Sequence, residues 1–218
     1  MTGLARAVDV GGLLTPSPRS ASAREALRLV ERTGALLSGH FALQGGGHSP
    51  HFLRFSHVGR DRAACDLAAR LLADELALPR AATVLCPESA GFLLGEALAR
   101  RRRAHLAVAA IGARRTPVPG LRSGELERGR PVVVVNDVVS TGASLEPLLT
   151  LAREAEAPVA AVLVFATLDE RRFHRLLAER DLLGAWLLAA NGWPIEPGDS
   201  CAQCREGTPL VPASELNG

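Results

Sequence analysis

The residues best equipped for chemistry are Asp137 and the run Ser140, Thr141, Gly142, Ala143 and Ser144 that follows it. Small and hydroxylated residues opening a helix present backbone N–H groups, hydroxyls and the positive helix end, which together suit a phosphate. A carboxylate just ahead of such a loop accepts hydrogen bonds from sugar hydroxyls. Its neighbour Asn136 supplies an amide but no charge. The same residues also fit a plain strand-to-helix turn with a Ser/Thr cap. They do not match G-x-x-x-x-G-K-[ST], which excludes a nucleotide P-loop.

Other reactive side chains carry less. Cys201 and Cys204, in "CAQC", have metal-ligand spacing. A lone pair lacks two ligands of a closed zinc site, and Cys65 and Cys86 form no second pair. Cys86, at a strand end with no paired histidine, reads as a buried structural thiol. His40, His48 and His51 lack a partnered carboxylate nearby and read as hydrogen-bonding residues, so no metal ligand is assigned to the protein. Arg100 to Arg103 end a helix, where cations complement its dipole, a reading favoured over RNA binding.

The elements that must hold these residues alternate. "SASAREALRLVERTGAL" reads as a helix with capping-box spacing at Ser22 and Glu25. "GHFALQGGGHSPHFLRF" reads as a hairpin-like segment around a triple glycine. "DRAACDLAARLLADELAL" is a second amphipathic helix burying Ala64, Ala68, Leu71, Leu72 and Leu76. Then come strand "TVLC", helix "AGFLLGEALARRRR", strand "LAVAAI", a loop "GARRTPVPGLRSGELERGR" and strand "PVVVV". Helix "GASLEPLLTLAREAE", strand "VAAVLVFA", helix "DERRFHRLLAERD" and strand "GAWLLAA" complete the series. Continuously apolar strands between helices predict an α/β fold, a parallel sheet covered on both faces.

A chain of 218 residues, 47% hydrophobic and 22% charged, suits one medium-sized domain. A net charge of +2 gives no basic excess for nucleic acid. No apolar run reaches the ~18 residues of a membrane span, and the N-terminus lacks the layout of a signal peptide, so a cytoplasmic protein is expected. All 25 basic residues are arginine.

"VVVVNDVVSTGASL" resembles the phosphoribosyl pyrophosphate motif of type I phosphoribosyltransferases, in which a hydrophobic strand leads to two adjacent acids and a phosphate loop. "GALLSGHFALQGGGHSPHF" and the tail "CAQCREGTPLVP" are similar to the orotate phosphoribosyltransferase group, and "LCPESAGFLLGEALA" sits where that family has its pyrophosphate loop. The likeness of the tail favours a structural tail over a metal or redox site at Cys201 and Cys204. The resemblance runs from about Thr33 to Pro212. It implies a parallel sheet flanked by helices, with a small hood from both chain ends. The expected division is a loose leader over 1–20 and one domain over 21–218, with the hood from about 33–58 and 185–218 and the core about 60–184.

The resemblance also implies transfer of ribose 5-phosphate from Mg2+-bound phosphoribosyl pyrophosphate to a small base or aromatic acceptor. By that likeness Asp137, Asn136, Arg114 and Arg115 are the catalytic candidates. Val138, Val139, Ser140, Thr141, Gly142, Ala143 and Ser144 are expected at the phosphoribosyl 5-phosphate. Glu88, Ser89, Ala90 and Gly91 are expected at the pyrophosphate, and Gln44, Phe52, Ser140 and Arg171 at the acceptor. Mg2+ is expected to be held mainly through the phosphosugar. A homodimer is implied, because the family's mobile loop serves the neighbouring subunit's site.

Several positions depart from the family pattern. Asn136 replaces the first acid; Val118 and Gly120 stand near the lid's later lysine and histidine; and Pro117 and Pro119 stiffen that loop. Arg122 and Arg128 are candidates to substitute for the missing cations. Gln44 and Glu170 replace base-pocket cations, leaving Arg54 or Arg171 for an acceptor's carboxylate. Glu88 would repel pyrophosphate unless Mg2+ or an arginine intervenes. These departures leave an alternative open: a phosphosugar-binding or regulatory relative that has lost turnover.

Overall fold

The structure is a computed structural model that describes residues 6–7, 10, 12–17, 22–43, 46–112 and 117–216. Its main sheet has seven strands in the order β2 (Leu14–Pro16), β10 (Gly184–Ala190), β9 (Val159–Thr167), β8 (Val132–Val139), β5 (Thr83–Pro87), β6 (His105–Ile111) and β7 (Pro117–Ser123). The five central strands are parallel; β2 and β7 close the two edges antiparallel.

Alternation along β8 explains why both faces are covered. Val133 and Val135 face α1 (Ala23–Thr33), α2 (Phe55–Arg60), α3 (Arg62–Ala73) and α4 (Ala90–Arg102), within one apolar cluster. Val132 and Val134 join the opposite cluster under α5 (Glu146–Glu154) and α6 (Glu170–Glu179). Phe55 and Phe165 meet edge-on at 5.0 Å in the first cluster, both fully buried. Each such ring contributes about 1.5–3 kcal/mol by leaving water.

A second, smaller sheet forms the hood. β3 (Leu36–Ala42) pairs antiparallel with β1 (Arg6–Ala7) and β4 (His48–Leu53), and parallel with β11 (Val211–Pro212). The tail between β10 and β11 carries the short helix α7 (Ala202–Arg205), and α8 (Ala213–Leu216) ends the described chain. Leu216 packs on Leu37 and Phe41, so both ends of the chain meet on β3.

The structure departs from the expected elements in four places. The leader is not loose where it is described: β2 pairs with β10, and Val10 and Leu14 are buried. Residues 185–190 belong to the main sheet through β10 rather than to the hood. The segment expected as a loop contains β7, whose Pro117 and Pro119 sit on an edge strand, where a missing N–H is tolerated. The capping box does not form: the Ser22 side chain makes no cap bond, and Glu25 pairs with Arg70 at 3.2 Å. Asp61, by contrast, caps α3 by accepting from the Ala63 and Ala64 N–H groups. Among the described residues no helix is long and apolar enough to cross a membrane.

Candidate active site

β5 leads to α4 and then to β6 on one side, while β8, next to β5, leads to β9 on the other. The strand order therefore switches between β5 and β8, and ligands of open parallel sheets sit at such a point, beyond the carboxyl ends of the strands. Both candidate phosphate loops leave there: residues 88–91 after β5 and residues 140–144 after β8. Asp169 to Arg171 leave the same edge from the adjacent β9.

The 140–144 loop is shaped by Gly142. Its φ of +86° is left-handed, and a Cβ there would lie 2.3 Å from Leu176 Cδ1, so glycine is required twice over. The Thr141 hydroxyl accepts from the Ala143 N–H at 3.4 Å, and the Leu145 N–H donates to the Gly142 carbonyl at 2.9 Å. Pro147 sits in the first turn of α5, where its missing N–H costs nothing. Val138 and Val139 contribute differently from the hydroxyl residues. Val139 is fully buried in the core and its carbonyl accepts from the Leu168 N–H at 2.8 Å, so these two strand residues position the loop from behind.

β8 runs four residues beyond the valines, and Asn136 and Asp137 lie within it. The Asn136 side chain is only 3% exposed. Its Nδ2 donates to Ser144 Oγ at 3.0 Å and its Oδ1 accepts from the Asp137 N–H at 2.9 Å. The same Oδ1 lies 2.7 Å from where a Cβ on Gly91 would stand, so the amide fills the gap between the two loops. Both polar atoms of Asn136 are engaged, so it braces the phosphate loop against the strand end.

Asp137 keeps a half-buried carboxylate at the strand end. Burial pushes its pKa up to about 6, while backbone N–H groups, that of Val138 foremost, work in the opposite direction. On the other loop, Ser89 caps α4 by accepting from the Gly91 N–H at 3.3 Å, and Ala90 opens the helix. Glu88 pairs with Arg122 of β7, Nε to Oε1, at 3.2 Å. An arginine thus stands beside Glu88 and offsets its charge. Arg128 is elsewhere: it pairs with Glu156 at 2.8 Å, ahead of β8 and so at the far end of the sheet.

The acceptor candidates are less gathered. Phe52 packs against the hood core, 5.6 Å from the Phe41 ring. Glu170, expected by the resemblance to stand where a base-pocket cation would be, accepts from Trp186 Nε1 at 3.0 Å. Arg171 is exposed on the first turn of α6, and Arg54 Nε donates to Ser56 Oγ at 3.2 Å. Gln44, Arg114 and Arg115 lie outside the described residues.

Cys86 is inert. Burial pushes its thiol up to about 12, and it packs where a Cβ on Gly95 would come within 2.6 Å of its sulfur. Sequence spacing missed one grouping: His40, His48, Cys201 and Cys204 each offer a ligand atom within 4.8 Å of all the others. The hood hairpin thus brings two histidines beside the lone cysteine pair.

The fold is an open, mostly parallel α/β sheet with two loops at its switch point, and comparison with known proteins gives the family. The pattern described as "Phosphoribosyl transferase domain" matches residues 59–179. The orotate phosphoribosyltransferase of Nitratiruptor sp. is 32% identical over 205 residues, covering 87% of this chain and 98% of that protein. That of Caldicellulosiruptor saccharolyticus is 30% identical over 186 residues, covering 85% and 93%. Among solved structures, the orotate phosphoribosyltransferase of Aeropyrum pernix superposes with a TM-score of 0.61 at 22% identity, covering 74% of this chain and 90% of that one. Leishmania donovani UMP synthase gives 0.66 at 21% identity, covering 77% of this chain and 36% of that one. This chain belongs to the type I phosphoribosyltransferase family, in its orotate phosphoribosyltransferase-like branch.

Proposed function

We propose that this protein transfers ribose 5-phosphate from phosphoribosyl pyrophosphate to a ring nitrogen of a small base, with release of pyrophosphate. The supporting observation is the pairing of the 140–144 loop and Asp137 with the start of α4 across the β5–β8 switch point. Ser140, Thr141, Ala143 and Ser144 hold the 5-phosphate through N–H and hydroxyl groups, with Gly142 setting the turn. Asp137 accepts from the ribose hydroxyls and opposes the positive charge that grows on the sugar as its bond to pyrophosphate breaks. Ser89, Ala90 and Gly91 receive the pyrophosphate at the positive end of α4. By the family resemblance Arg114 and Arg115 are assigned to the pyrophosphate as permanent cations; arginine stabilises the leaving group without giving up a proton.

The donor set fits Mg2+, which is held by one or two carboxylates together with substrate phosphates. Asp137 is the carboxylate available, Glu88 is engaged by Arg122, and Asn136 supplies no charge, so the phosphosugar provides most of the ligands. When bound, the ion neutralises charge on the pyrophosphate.

Orotate is the first acceptor to test, because the relatives bear that name. Arg171, and Phe52 from the hood, are the candidate contacts, with Gln44 nearby in sequence. The protein works in the cytoplasm as a homodimer in pyrimidine nucleotide metabolism. The deciding experiment measures pyrophosphate release from phosphoribosyl pyrophosphate and Mg2+ with orotate, uracil and aromatic acids in turn. Release with one acceptor and not the others identifies the substrate. Binding of the phosphosugar without release in any arm would reassign the chain as a sensor.

A further inference from the structure

We propose that His40, His48, Cys201 and Cys204 form a structural zinc site that staples the C-terminal tail to the hood. The ligands come from three segments, β3, β4 and the start of α7, and converge without a carboxylate among them. Four of the six ligand-to-ligand distances are close to those of a tetrahedron, and all six lie within 4.8 Å. Zn–N bonds of about 2.0–2.1 Å and Zn–S bonds of about 2.3 Å place nitrogens about 3.3 Å apart and nitrogen and sulfur about 3.6 Å apart. His40 Nε2 is 3.2 Å from His48 Nδ1, and His48 Nδ1 is 3.2 Å from Cys204 Sγ. His40 Nε2 is 3.4 Å from Cys201 Sγ and 3.7 Å from Cys204 Sγ.

The surroundings orient the ligands. His40 is 1% exposed, and its Nδ1 lies 2.9 Å from the Thr208 carbonyl, an acceptor only. That nitrogen therefore carries the proton, and the Nε2 lone pair is left facing the sulfurs, the arrangement that backs a metal-bound imidazole. His48 is pinned by two backbone bonds to Glu196, at 2.7 and 3.0 Å. Glu196 in turn accepts from the Ala202 N–H at 2.9 Å, and Gln203 Nε2 donates to the Gly39 carbonyl at 3.0 Å. Two thiolates and two neutral imidazoles match Zn2+ in charge and softness, and four protein ligands leave no open position for catalysis. The site's task is to deliver β11 onto β3 and Leu216 onto the hood core, contacts otherwise made by a two-residue strand and one leucine.

The test measures zinc by mass spectrometry in the purified full chain after exhaustive dialysis. One equivalent per chain is expected, lost in Cys204→Ser and in His48→Ala and retained in Cys65→Ser. Cobalt in its place gives the intense visible bands of a tetrahedral thiolate site. Chelation of the wild-type protein lowers its Tm and speeds tryptic cleavage after the exposed Arg205. Cys204 is exposed, so its serine variant folds, and chelation needs no variant. A wild-type chain refolded with zinc and dialysed that holds none would overturn the proposal. So would one whose zinc survives Cys204→Ser, or a reversible Cys201–Cys204 disulfide in a metal-free protein.

Discussion

The Asn136 amide donates to Ser144 Oγ at 3.0 Å, joining the end of β8 to the last residue of the phosphate loop. Asn136 acts as a brace: a buried side chain with both polar atoms satisfied and a loop held at the switch point. Replacing it with Asp puts a second carboxylate beside Asp137. Like charges raise each other's proton affinity, and burial adds to the effect. Asn136→Asp is therefore expected to lose about 1–3 kcal/mol of stability at pH 8 and less at pH 5. Thermal melts at the two pH values check this, at roughly 2–4 °C per kcal/mol for a chain of this size.

Asp137 itself carries a pH signature. Its carboxyl releases a proton at about 6 in the folded chain, against an ordinary value of 3.8. The folded state holds this proton more tightly, so the stability it contributes is full below about pH 4 and is lost as pH rises through about 6. Asp137→Asn removes that penalty. The variant is expected to be more stable than wild type above pH 6 by about 1–2 kcal/mol, discounted for partial solvent screening, with the difference vanishing below pH 4. Phosphosugar binding moves the other way: it falls in wild type as pH drops through about 6, and it is lost in the variant at every pH. Calorimetric titration across pH 5–8 separates the two effects.

Gly142 tests the loop's shape. Gly142→Ala meets both an unfavourable φ and the Leu176 side chain, and is expected to cost about 1–3 kcal/mol and to raise the KM for phosphoribosyl pyrophosphate. Adding Leu176→Ala relieves the clash but not the backbone strain. The KM should recover in part, while the Tm stays low because a core leucine is lost.

How much of this was legible beforehand follows from what each residue depends on. The central strands and their helices are written in local apolar runs, whereas Gly142, Asp137 and the hydroxyls fit both a phosphate loop and a plain capped turn until the family resemblance favours the first. β7 was not legible, because prolines and glycine look like a loop until an edge strand takes them up. β2 is three residues long and exists only through β10. The His–Cys grouping joins residues 161 positions apart, so no local pattern reveals it; the visible hint was that His40 and His48 flank a hairpin turn while a CxxC stands unexplained in the tail. Asn136 looked like lost chemistry because its partner, Ser144, is contacted only once the loop folds back.

The Arg122–Glu88 pair makes a prediction about charge. Both side chains are about half exposed or more, 69% and 47%, so the pair adds little to stability. Glu88→Gln should leave the Tm unchanged and free Arg122 for the pyrophosphate. The KM for phosphoribosyl pyrophosphate is expected to fall severalfold at low ionic strength and to converge with wild type in high salt, as screening erases the difference. Initial rates at two salt concentrations check it.

The most direct measurement follows orotate and phosphoribosyl pyrophosphate with Mg2+ through a complete turnover, comparing wild type with Asp137→Ala and reading nucleotide formed against pyrophosphate released. Equal amounts of both products from the wild-type chain, and at least a hundredfold less from Asp137→Ala, are expected of a working transferase whose charge sits at this strand end, on the order of the loss seen for a key electrostatic group. Equal rates from the two proteins would contradict the account, as would phosphosugar bound by wild type with neither product formed.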